Sequence, residues 1–377
     1  MTKQKIRILY LGPNLFSKVG GAKKVMLDIV NNLEQSRFST GILFVKGDPQ
    51  EIRKIKKHVR LFDFRWISKI RKSGRLSNLC IIYTILAFKP DIVLIAGRRF
   101  GFFFSNKLKK LFPKTKFIFR MGGVISDSET NDIDYVEWLK TRYSKADAII
   151  CASQATKEQY ISKLGISHDI ISVVYNGIDL QNICDDNSLK DSNIRRLENS
   201  KVCCYVGALN ERKDPLTLIK AFEIAKQSIP NLALWIVGEG MLEKELQEYC
   251  KFHGLNKFVQ FLGYKQNPYP YMKESDLFLS ASTRDGFGLT LLEAAALRKP
   301  FFYANGVIGI AELLKKYDVG RYFPPHDFLS LSSLIISFFK SEEKYSFDGY
   351  EKLVDELSMS KFIQGYSNIF EYQLKNN

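Results

Sequence analysis

Two acids eight residues apart, Asp285 and Glu293, flank Gly286-Phe287-Gly288 and the start of an apolar run. Leu289, Leu291, Leu292, Ala294, Ala295, Ala296 and Leu297 would give a helix beginning near Gly288 or Leu289 a wide apolar surface. Glycines ahead of such a start let backbone approach a ligand. The unpaired N–H groups and the positive dipole end there favour an anion or sugar oxygens. Helical side chains lean toward the N-terminus, so Glu293 is expected to aim its carboxylate back over the same opening. Two carboxylates around backbone donors suit a polyhydroxylated ligand with phosphates nearby. The same letters also fit a buried helix after a glycine turn, its acids capping or solvated.

Arg212 and Lys213 offer the complementary charge. A lysine acts on phosphate as a point charge and an arginine as a fork, so this pair is the candidate diphosphate clamp. Asp132-Ile-Asp134 has metal-binding spacing, but its surroundings read as a helix start, where acids favour the dipole. No metal and no cofactor is expected.

The elements that must position these residues come in two βα-rich halves. Strands are expected at 6–12, 41–46, 91–96, 116–120 and 147–152, with helices near 22–34, 66–88 and 132–145. Asn176-Gly177 is a turn signal closing the first half, and the polar stretch 181–200 reads as a linker. The second half restarts with strands at 201–209, 232–240, 258–264 and 277–282, and later helices at 328–340 and 350–374. Gly207, Gly238, Gly263 and Ser280 end strands on one expected rim, where a nucleotide should lie. Alternation of this kind implies α/β architecture with parallel, doubly wound sheets.

At 377 residues the chain is long enough for two such cores. Its 45% hydrophobic and 25% charged content is ordinary for a globular protein. Six cysteines without a C-x-x-C pair read as reduced buried thiols. The N-terminus runs directly into a strand without a signal-peptide pattern, and no apolar run approaches the ~20 residues of a membrane span. Residues 46–120 hold 20 Lys+Arg against 4 Asp+Glu, a net +16 that equals the charge of the whole chain. Such a block favours a polyanion or an anionic membrane, or is simply a solvated face. Interleaved Phe62, Phe64, Trp66, Ile67, Ile70 and Phe102 to Phe104 favour the membrane.

The stretch from Arg284 to Pro300 resembles the E-x7-E signature of the retaining glycosyltransferases of family 4, with Asp285 in place of the first Glu. Ser153 and Asn176-Gly177-Ile178-Asp179, the turn Gly238-Glu239-Gly240, Gly263-Tyr264 and the tract 304–314 with Glu312 are similar to further motifs of that family. Lys213 stands where the family has its lysine, but Ala208 replaces the arginine of Gly-Arg-Leu, a charge Arg212 would supply. The His-Gly that many members carry is replaced around Met121-Gly122-Gly123, with Arg120 as the nearest substitute.

The resemblance implies the GT-B fold, two Rossmann-like domains facing a central cleft. Residues 1–180 would bind the acceptor, with a helix at about 360–377 packing back on them, and 201–359 would bind the nucleotide-sugar. It implies metal-independent hexosyl transfer with retention from a UDP- or GDP-sugar to a glycan or lipid-linked acceptor. Glu293 would hold the ribose, Asp285 the sugar hydroxyls, and the backbone of Gly286, Phe287, Gly288 and Leu289 the sugar and phosphate. Lys213 and Arg212 would stabilise the departing diphosphate. Gly20, Gly21, Gly207, Gly238, Glu239, Gly263 and Tyr264 would line the donor, and Arg98, Arg99 and Arg120 the acceptor. Location would be cytoplasmic, peripheral on the inner face of the membrane. A non-catalytic glycosyltransferase-like subunit and a basic nucleic-acid-binding protein stay open, although no nucleic-acid module is visible and no nucleic-acid partner is expected.

Overall fold

The computed structural model describes residues 4–12, 21–44, 52–66, 73–97, 105–123, 125, 129, 131–184, 194, 196, 198–341 and 345–375. The chain divides into two units, residues 1–177 with 359–377, and residues 178–358.

The first unit is built on a seven-stranded parallel sheet. Its strands are β1 (Ile6–Leu11), β2 (Phe38–Phe44), β3 (Arg60–Asp63), β4 (Ile92–Ala96), β5 (Lys116–Met121), β6 (Ala148–Cys151) and β7 (Ile171–Val173), in the spatial order β3-β2-β1-β4-β5-β6-β7. Central strands such as β4, buried at every position, read as unbroken apolar runs because helices cover both faces of a parallel sheet. The first strand of the early basic block, β3, was not expected from its mixed sequence.

Helix starts follow local capping chemistry. Asp132 N-caps the Ile133–Tyr143 helix by accepting from the Tyr135 N–H, so the D-x-D spacing serves a helix end. Ser153 does the same for Gln154–Leu164, accepting from the Thr156 N–H. The tail expected as one helix is two, Asp348–Glu356 and Met359–Lys375. They break at Leu357-Ser358, where the Leu357 carbonyl accepts from Ile178.

Met359–Lys375 buries Phe362, Ile363, Tyr366 and Phe370 in the first unit. Arg120, on β5, is 4% exposed and anchors that helix: Nε donates to the Tyr366 hydroxyl at 3.0 Å and a terminal nitrogen to Asn176 Oδ1 at 2.7 Å. Arg120 is therefore committed inside its own unit and is not offered to an acceptor.

The second unit carries a six-stranded parallel sheet in the order β10-β9-β8-β11-β13-β15. These strands are β8 (Lys201–Val206), β9 (Leu232–Val237), β10 (Val259–Gly263), β11 (Leu277–Ser280), β13 (Phe301–Ala304) and β15 (Arg321–Phe323); β12 (Arg284–Asp285) and β14 (Val307–Ile308) pair separately. Sheet order puts the ends of β8, β9 and β10 side by side.

Replacing Tyr366 by Phe removes a hydroxyl that accepts from a buried guanidinium, and a bond of this kind contributes about 1.5–3 kcal/mol. Urea unfolding should show that loss. An unchanged midpoint would mean Arg120 does not depend on Tyr366.

Candidate functional site

Lys213 ends a single 3-10 turn, Glu211–Lys213, whose N-cap Asn210 accepts from the Lys213 N–H through its side chain at 3.1 Å. Asp214 follows in the left-handed conformation, with φ of +45°, a backbone cost for a non-glycine residue. It offsets that cost by capping the Pro215–Ser228 helix. Its carboxylate accepts from the Thr217 hydroxyl at 2.7 Å and from the Thr217 N–H at 3.4 Å, and sits 2.8 Å from His326 Nδ1. Proline at the first helical position fits the same start. The backbone around Lys213 is thus fixed from both sides.

The Lys213 ammonium reaches Asp285 Oδ2 in an ion pair, with side chains only 12% and 20% exposed. Asp285 is held by two further bonds, and its loop by a third. Its Oδ1 accepts from the Phe287 N–H at 3.3 Å, its carbonyl accepts from the Gly309 N–H at 3.3 Å, and the Phe287 carbonyl accepts from Ile310 at 2.8 Å. Gly309 permits this approach, since a Cβ there would lie 2.3 Å from the Gly286 carbonyl oxygen. Arg212, exposed, donates to the Arg284 carbonyl at 3.0 Å, and its own carbonyl accepts from Thr283. Burial pushes the Asp285 carboxyl up. The Lys213 ammonium, Arg212 and the Phe287 N–H outweigh it and leave the group below the ordinary carboxylate value.

The loop after Asp285 delivers the Leu289–Ala296 helix. Its N-cap is Gly288 at φ +92°, and no side chain caps that end. The first N–H groups are therefore presented by a residue without a Cβ. Glu293 is 7% exposed and accepts from the Tyr269 hydroxyl at 3.2 Å. Phe287 is buried, which pins the loop from below.

The glycine strand ends also meet. Gly207 N–H donates to the Val237 carbonyl at 3.0 Å, and Gly238 N–H to the Gly263 carbonyl at 2.9 Å. Gly238 has φ of +144°, and a Cβ there would stand 1.8 Å from the Gly207 oxygen, so only glycine fits. Glu239 is half-buried and Tyr264 exposed beside this rim. Tyr205 connects rim and ion pair. Its hydroxyl donates to the Ala208 carbonyl at 2.9 Å, and its titration is raised mainly by burial, with Arg212 opposing and Asp285 and Asp214 adding.

In the other unit, Gly21 is the exposed first residue of the Gly21–Asn32 helix. Gly20, Arg98 and Arg99 lie outside the described residues. Sequence reasoning missed Asn210, Asp214, Tyr205 and Tyr269. The N-x-x-K and D-P-x-T spacings around Lys213 carried a readable capping signal; nothing marked Tyr269 as a partner 24 residues before Glu293. Among the described residues no three His, Cys, Asp or Glu side chains come together as metal ligands.

Comparison with known proteins places two family models on the chain: Glycosyltransferase Family 4 over residues 19–182, and Glycosyl transferases group 1 over residues 187–347. A Campylobacter jejuni N-acetylgalactosamine-N,N'-diacetylbacillosaminyl-diphospho-undecaprenol 4-alpha-N-acetylgalactosaminyltransferase is 35% identical over 41% of this chain and 40% of its own length. The Escherichia coli K12 lipopolysaccharide 1,6-galactosyltransferase is 21% identical over 95% of this chain and 96% of its own. Across three curated relatives the match spans 40%, 60% and 46% of their lengths. Anabaena HepE, solved with UDP and glucose, superposes with a TM-score of 0.80 at 19% identity, covering 97% of this chain and 100% of that one.

The lowered Asp285 titration has a direct consequence for acid stability. The unfolded chain takes up this proton near about pH 3.9, before the folded one does. The stabilisation is thus complete above that pH and disappears as pH falls through the lower folded value. Asp285→Asn should unfold at lower urea than the parent at pH 7, with the gap closing below about pH 4. A gap of equal size at both pH values would show that the pair does not control this titration.

Proposed function

The chain belongs to the glycosyltransferases of GT-B fold, and from that premise we propose that it transfers a sugar from a nucleotide-sugar to a hydroxyl of a lipid-linked or surface-polysaccharide precursor, with retention at the anomeric carbon. The Lys213–Asp285 pair carries this reading: a cation and an acid fixed beside an uncapped helix start. The glycine rim, where backbone can approach a diphosphate closely, supports it.

In this mechanism the second unit holds the donor and the first the acceptor. Lys213 and Arg212 neutralise the diphosphate as the bond from the anomeric carbon to its oxygen breaks. The acceptor oxygen bonds to the anomeric carbon from the same face, and its proton passes to the departing phosphate oxygen. No protein nucleophile is required. The N–H groups of Gly286 to Leu289 bind phosphate and sugar, Asp285 fixes the sugar hydroxyls, and Glu293, steadied by Tyr269, holds the ribose. Glu239, Tyr264 and the glycine ends frame the nucleotide.

HepE was solved with UDP and glucose, so a UDP-sugar is the first donor to try, with GDP-sugars next. The Campylobacter relative's name specifies an undecaprenyl diphosphate acceptor, which supports a lipid-linked acceptor. No described helix is long and apolar enough to cross a bilayer.

Ala208, in the position where an arginine would be expected, favours a second reading, a non-catalytic glycosyltransferase-like subunit. A panel of UDP-, GDP- and ADP-sugars separates the two when hydrolysis and thermal shift are read together. Stabilisation with turnover supports catalysis, and no stabilisation by any donor supports the second reading.

Lys213→Ala should lower kcat on the active donor by about 10²-fold or more, as loss of a preorganised charge does. Glu293→Gln should mainly raise KM for the donor. Full transfer by Lys213→Ala would remove the basis of the mechanism.

A further inference from the structure

The Ser73–Phe88 helix has no charged residue between Arg75 and Lys89. Cys80, Ile81, Thr84, Ile85 and Phe88 are buried against the first unit's sheet side. The opposite face carries Leu79, Tyr83 and Leu86, spaced four and three apart and so on one stripe, exposed by 61%, 58% and 57%. A solvated helix face ordinarily carries charge, and an all-apolar helix ordinarily has cover on every side.

Trp66 extends the stripe. It is 59% exposed, and two residues before it the Phe64 ring meets the Tyr83 ring edge-on with centroids 5.9 Å apart. Both lie beyond β3, the edge strand of the sheet. Phe62 does not join this surface: it is 8% exposed and packs edge-on with Phe88 inside the core. Ile67, Ile70 and Phe102 to Phe104 fall outside the described residues.

We propose that this face docks on an anionic lipid bilayer. Leu79, Tyr83, Leu86 and Trp66 enter the boundary between headgroups and acyl chains, where tyrosine and tryptophan are favoured. Exposed Arg60 and Lys89, within a block of net charge +16, meet lipid phosphates. Charge selects this occupant over a second copy, because the exposed Arg60 and Lys89 beside the stripe would meet like charge on an identical face and find opposite charge on the lipid. The proposal is independent of the sugar-transfer reading.

Flotation of the full chain with vesicles of phosphatidylglycerol and phosphatidylcholine tests it, against phosphatidylcholine alone. Binding should need the anionic lipid, weaken with added salt, and shift Trp66 emission to the blue, a shift lost in Trp66→Phe. The triple variant Leu79→Ser, Tyr83→Ser, Leu86→Ser should bind at least about tenfold more weakly. Circular dichroism and an unchanged thermal melt would show that this variant remains folded, whatever becomes of the sugar-transfer reading. Absence of flotation, or equal binding by the triple variant, overturns the proposal. So does a dimer in sedimentation that the same three substitutions split, which would make a second copy the cover.

Discussion

A lysine and an aspartate, 72 residues apart in sequence, meet with little access to water, and the second unit's loops are shaped around that meeting. Withdrawing either ion alone from water costs several kcal/mol, so each needs the other in place. The surroundings keep both from straying. Asn210 and Asp214 hold the turn carrying Lys213, and the β12–β14 pairing holds the strand carrying Asp285. Asp285 serves as the lysine's counterion. In the proposed mechanism a diphosphate brings charge of its own, and the lysine is shared without having to be moved there.

Parallel sheets explain why the rest of the machinery gathers nearby. Every strand of the six-stranded sheet points its carboxyl end the same way, so loops after β8, β9, β10 and β11 emerge on one edge. The close contact of Gly238 with Gly207 brings two of these loops together as a bare backbone surface. Two residues of positive φ, Asp214 and His326, meet at the same edge, with the His326 Nδ1 2.8 Å from the Asp214 carboxylate. At Asp214 that backbone cost falls next to Lys213, where the geometry has to be held.

Local chemistry was legible and long-range pairing was not. The helix after Gly288, the caps at Ser153 and Asp132, the 328–340 helix and the glycine strand ends all follow from short patterns in turn, cap and apolar spacing. The family resemblance was equally readable, because its motifs sit in those turns. What escaped depends on which strand lies beside which. β3 and β15 are short and mixed in sequence, and become strands by lying along β2 and β13. Arg120 looked like a strand-end ligand until the C-terminal helix supplied Tyr366 from 246 residues away. Phe62 looked like part of an apolar surface, although alternation along β3 turns it inward.

The shorter acid at position 285 finds its rationale in the loop it begins. Asp285 accepts from the N–H of Phe287, two residues on, a turn that aspartate closes readily because its carboxylate lies close to its own backbone. A glutamate reaches one methylene further and closes that ring poorly, so its carboxylate would be free to extend toward the ligand. In this chain the same carboxylate sets the loop with one oxygen and the lysine with the other. Reach is given up and orientation gained. The Gly286-Phe287-Gly288 segment, and the uncapped helix start behind it, are therefore fixed by the very group proposed to meet the sugar.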